Sequence, residues 1–115
     1  MDAKTLQTLQ DVHVAAWNEK DAVKRTGLLQ TIYAEDMQLY DTHFILQGIN
    51  AVSDFIGKLI NEDPHYFFSA AQPIEATQNG VRLYGTIGTA QGTLSSMDFM
   101  VMEANKVRHL YVFMG

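Results

Sequence analysis

The chain has 115 residues, enough for one domain with a single core, and 47% of them are hydrophobic, which excludes a disordered polymer. Thirteen acidic against eight basic residues give a net charge of -5, and the basic residues are scattered, so the basic face that nucleic acid requires is missing. Zero cysteines exclude disulfides and thiolate chemistry, and no apolar run reaches the length of a membrane span.

From Thr5 to about Glu19, the residues Leu6, Leu9, His13, Ala16 and Trp17 recur at helical spacing, which predicts a helix with His13 on its inner face. Asp21 can cap a second helix through Leu28, Leu29, Ile32 and Tyr33, with Gly27 marking a possible break. Met37 to Asp41 reads as a strand, and Phe44-Ile45-Leu46 as its return partner. Ile49, Val52, Ile56, Leu59 and Ile60 form a third helical stripe with Phe55 beside it, stopped by Asp63-Pro64. Beyond Pro64 the period becomes extended. His65 to Thr77, Val81 to Ala90, Thr93 to Glu103 and Lys106 to Met114, with a Gln78-Asn79-Gly80 turn, predict an antiparallel meander. Gly85, Gly88 and Gly92 mark bends that let the sheet curl. The expected architecture is one α+β domain over residues 1–115, with three helices packed on the concave side of a strongly curved antiparallel sheet.

Within the Thr93 to Glu103 strand, Asp98 shares a face with Met100 and Met102, while Met97, Phe99 and Val101 take the other. A carboxylate among apolar neighbours must pair, accept hydrogen bonds or stay protonated. Asp98 is therefore the first candidate for chemistry, or else a buried acid tied down by protein donors. The four histidines show no metal-ligand spacing, and the glycines form neither a phosphate loop nor a dinucleotide fingerprint, so neither a metal nor a cofactor is expected.

The order of elements, with Ala15-Ala16-Trp17-Asn18-Glu19-Lys20-Asp21, Tyr33-Ala34-Glu35-Asp36, Gly48-Ile49 and Lys106-Val107 leading to Phe113, resembles the NTF2-like superfamily, the cone fold of ketosteroid isomerases and SnoaL-like cyclases. The resemblance implies a cavity between sheet and helices. It matches Asp41 to the isomerase base and Asp98 to a protonated oxyanion donor, while His13 stands where that pattern has a tyrosine. Proton transfer beside a carbonyl needs such a base and such donors. Each residue also has a structural reading: Asp41 as a turn acceptor, His13 and Asp98 as satisfied core residues. Trp17, Tyr40, Phe55 and Met100 are the expected lining of a pocket for a small apolar molecule. An apolar outer face bearing Phe99, Val101, Tyr111 and Phe113 points to a homodimer. The polar start, Met1-Asp2-Ala3-Lys4, is unlike a signal peptide, which makes the cytoplasm the expected compartment. Two functions are expected: cofactor-free isomerase, cyclase or dehydratase chemistry, or a non-catalytic ligand-binding or dimerisation module.

Overall fold

The computed structural model describes all residues from Met1 to Gly115. Helix α1 (Ala3–Ala16) begins where the Asp2 carboxylate accepts from the Thr5 amide at 2.8 Å, and α2 (Ala22–Ile32) begins in the same way where Asp21 takes the Lys24 amide at 2.9 Å. Each cap satisfies an amide that the first helical turn leaves without a partner. Gly27 does not break α2, since it lies exposed on a helix whose other face is packed, and packing outweighs a propensity cost of about 1 kcal/mol.

Strand β1 (Tyr33–Tyr40) follows α2 directly and starts earlier than the apolar pattern suggests. Exposed Glu35 and Asp36 interrupt the alternation, and the register against the last strand shifts between Tyr33 and Gln38. Strand β2 (Ile45–Gln47) returns antiparallel to β1, and Gly48 then turns the chain into α3 (Ile49–Glu62). Gly48 has φ +88°, a conformation that strains any residue with a Cβ, and its amide bonds the Met37 carbonyl at 2.8 Å.

The single strand expected over His65 to Thr77 is two short ones, β3 (Phe67–Ala70) and β4 (Glu75–Thr77). Both lie along one edge of β5 (Gly80–Thr89), and between them the chain leaves the ladder so that Ile74 can bury its side chain. Strands β6 (Gly92–Glu103) and β7 (Lys106–Met114) complete an open sheet in the order β2-β1-β7-β6-β5-β3, with β4 beside β5. All neighbours are antiparallel except β1 and β7, which run parallel, so the sheet is mixed and not wholly antiparallel. Alternation shows which face a residue takes but not which strand lies beside it.

One face of the sheet carries the helices. Leu9, Leu29, Val52 and Ile56 from the helices join Leu39, Leu83, Met100 and Leu110 from the strands in one buried cluster. Asn18, just past α1, acts as a one-residue strand partner on the sheet edge. It donates to the Phe68 carbonyl at 2.7 Å and accepts from the Phe68 amide at 2.8 Å. That clamp holds α1 across the inner face and sets the positions of His13 and Trp17.

Candidate functional site

Alternation along β6 turns Ser96, Asp98 and Met100 toward the helices, and all three are buried. His13 on α1 is wholly buried above them, with its Nε2 3.0 Å from Asp98 Oδ2. Its Nδ1 lies 2.8 Å from the Tyr33 hydroxyl, which lies 3.0 Å from the Trp17 indole nitrogen. The indole N–H can only donate, so the Tyr33 oxygen accepts from Trp17, and in one of the two arrangements open to this chain Tyr33 gives its own proton to His13 Nδ1. A neutral His13 then carries its proton on Nε2 and donates to Asp98, which accepts as a carboxylate. In that arrangement every donor in the chain from Trp17 to Asp98 points the same way. The protonated-donor role that the resemblance implies for Asp98 is the reverse arrangement, with Asp98 donating to Nε2 and Nδ1–H donating to Tyr33.

Beside this chain is a separate cavity of about 290 Å³. Trp17, Phe44, Phe55 and Tyr66 give it aromatic walls, and Leu94, Val112 and Met114 form much of its sheet side. Trp17 belongs to both features, with its ring facing the cavity and its N–H committed to Tyr33. Tyr66 is held by donating to the Trp17 carbonyl at 2.8 Å. The charged residues along the cavity are Asp41, Glu62 and Asp63, all acidic. Asp63 accepts from the His65 and Ala90 amides at 2.8 and 2.9 Å, and these two backbone bonds, Ala90 first, hold its carboxyl below the usual carboxylate range. Asp41 accepts from the His43 amide at 3.0 Å through one oxygen.

Trp17, Phe55 and Asp41 thus line the cavity, whereas His13 and Asp98 meet each other outside its lining. Two expected lining residues lie elsewhere. Met100 is fully buried in the core between Val81 and Leu110. Tyr40 takes the opposite face of the sheet from Leu39 and stacks on Tyr111 with ring centroids 4.4 Å apart. Tyr33 and Tyr66 escaped the sequence reading as site residues: Tyr33 reads as the last residue of the second helical stripe and Tyr66 as part of the strand from His65, and neither pattern shows the hydrogen-bond partner. Leu94 was within reach of it, being in phase with Asp98 on β6. No group of three or more His, Asp or Glu side chains is arranged to hold a metal ion.

Burial raises the Tyr33 hydroxyl well above its ordinary pKa of 10.0, opposed by the Trp17 bond and reinforced by the Asp98 charge. Burial, with a smaller contribution from Asp98, raises Tyr66 as well. Both tyrosines keep their protons in the folded state at a pH where the unfolded chain gives them up. Stability is therefore full below about pH 10 and falls as the pH rises further. Thermal unfolding is expected to show a steep loss of melting temperature between about pH 10 and 11.5, eased in Tyr33→Phe; a flat profile there would show that these hydroxyls are not held in the protonated state.

No family model and no curated protein matches the sequence. Solved structures do match in fold. A proposed isomerase of the SnoaL-like family from Agrobacterium tumefaciens superposes with a TM-score of 0.86 at 20% identity, covering 97% of this chain and 98% of that one. An NTF2-like protein of unknown function from Cytophaga hutchinsonii gives 0.71 at 13% identity, over 100% and 93% of the two chains. A de novo designed protein with a curved β-sheet gives 0.79 at 10% identity, over 100% and 88%. Identities this low carry the fold alone, and a designed chain shares it as fully as natural ones. The chain adopts the α+β fold of these NTF2-like and SnoaL-like structures, three helices on one face of an open, mixed seven-stranded sheet.

Proposed function

We propose that the protein binds a small, mainly apolar molecule in the cavity between α3 and the sheet. The observation that carries this reading is the cavity itself, about 290 Å³ with ten of its fourteen lining residues hydrophobic. An apolar hollow of that size leaves hydrophobic side chains against water unless something covers them, which suits a ligand. The only tryptophan is in its wall, which supplies a built-in reporter. Titration with N-phenylnaphthylamine, a neutral apolar probe, should quench Trp17 and saturate at one molecule per chain. An unchanged Trp17 signal with no probe fluorescence would sink the proposal.

Turnover of the ligand is a second reading, favoured by Asp41. One of its oxygens is engaged by the turn and the other is left for a substrate proton at the cavity. On this reading Asp41 is the base of a cofactor-free isomerase, cyclase or dehydratase, and Asp41→Asn abolishes conversion while leaving binding of the neutral probe N-phenylnaphthylamine. The His13 and Asp98 pair serves the fold in either case, by fixing Trp17 through Tyr33.

We also propose that the convex face of the sheet meets a second copy of the chain, because Phe67, Tyr111 and Phe113 stand exposed on it. Sedimentation equilibrium should give a dimer, and Phe113→Glu a monomer; a monomeric native chain would refute this.

A further inference from the structure

We infer that the cavity is built for an apolar molecule bearing a protonated amine, with its hydrocarbon or aromatic body between the walls and its ammonium group at the acidic mouth. The inference rests on the ligand-cavity reading above and adds the charge of the ligand. Helix α3 delivers Glu62 and Asp63 to the mouth from its C-terminal end, and its last turn contains no basic residue. The negative end of the helix dipole therefore reinforces the two carboxylates instead of being neutralised. Asp41, just past the end of β1, adds a third carboxylate to the cavity lining. Two backbone amides fix the Asp63 carboxylate in place, so its charge is a standing feature of the mouth. Lys58, one turn before Glu62, lines an adjoining hollow that shares Phe44, Phe55, Leu59 and Glu62 with the cavity, and it forms no ion pair with Glu62.

The walls point the same way. Trp17, Phe44, Phe55 and Tyr66 line the cavity with four aromatic rings, and aromatic faces attract cations and repel anions. An anionic ligand would need donors, and each side-chain donor in the wall is already committed. The Trp17 N–H goes to Tyr33, the Tyr66 hydroxyl to the Trp17 carbonyl, and the Thr89 hydroxyl to the Gly92 carbonyl at 2.7 Å. A carboxylate ligand thus meets three like charges and no free side-chain donor, while an ammonium ion meets three partners.

The test is a matched series of phenylbutylamine, phenylbutanol and phenylbutanoate, titrated against native protein with Trp17 quenching and displacement of N-phenylnaphthylamine as readouts. The amine should bind about tenfold tighter than the alcohol, the sum of a modest exposed ion-pair gain and a cation–π gain, and the carboxylate weakest of the three. The amine-to-alcohol ratio should shrink at high salt and in the Asp41→Asn, Glu62→Gln double variant. An alcohol that binds as tightly as the amine overturns the inference while the cavity reading stands, as does a native protein that takes N-phenylnaphthylamine but none of the three. Failure of N-phenylnaphthylamine to bind as well overturns both.

Discussion

Replacing His13 by leucine should destabilise the protein by about 3–5 kcal/mol, because it strands the Asp98 carboxylate in the core without a donor. His13 is 0% exposed and Asp98 5% exposed, so water cannot replace the missing bond at Oδ2. The Tyr33 hydroxyl loses its acceptor in the same step, which adds an unsatisfied donor. At about 4 °C per kcal/mol for a domain of this size, the melting temperature should fall by about 12–20 °C. Asp98→Asn keeps an oxygen facing His13 Nε2 and removes the charge, so its cost should be about 1–2 kcal/mol. The decisive comparison is the double replacement His13→Leu with Asp98→Leu. Removing both partners eliminates the stranded charge, and the double variant should be more stable than His13→Leu alone. A His13→Leu protein within about 1 kcal/mol of native in urea unfolding would mean that the buried pair does not hold the fold as argued.

The second large effect concerns the cavity. Val112 stands on β7 with its side chain among the lining residues, so Val112→Trp places about seven more heavy atoms in the space proposed for the ligand. At about 0.3 kcal/mol per ligand atom displaced, binding of N-phenylnaphthylamine should weaken by about 2 kcal/mol, near thirtyfold. The fold should not suffer in proportion, because the new ring enters empty space instead of displacing packed neighbours. Calorimetric titration and thermal unfolding of the same sample separate the two effects. Undiminished probe binding in a folded Val112→Trp protein would place the ligand somewhere other than this cavity.

The buried pair and the cavity also show why the site was only half legible beforehand. Asp98 could be singled out because a carboxylate in an apolar strand has few ways to survive burial, and His13 because it lies in phase with Leu6, Leu9 and Ala16 on a helical face. Their meeting could not be read, since it depends on α1 crossing β6, and that crossing is fixed by Asn18 clamping the β3 edge. The misplacement of Tyr40 has the same origin. Strand alternation puts Tyr40 and Leu39 on opposite faces, but the face that becomes interior is chosen by the helices and not by the strand.

The amino-acid sequence by itself determined the three helices, most of the strands, the absence of thiol chemistry and the candidacy of Asp98, because apolar period, cap residues and turn residues act over a few positions along the chain. Tertiary structure alone decided the parallel pairing of β1 with β7, the joining of Trp17, Tyr33, His13 and Asp98 in one hydrogen-bonded chain, and the position of His13 and Asp98 outside the cavity lining. It also gathered Asp41, Glu62 and Asp63 along one cavity. The physical reason is that each of these depends on groups distant in sequence coming within hydrogen-bond or Coulomb range. Only packing of the helices across the sheet sets those distances.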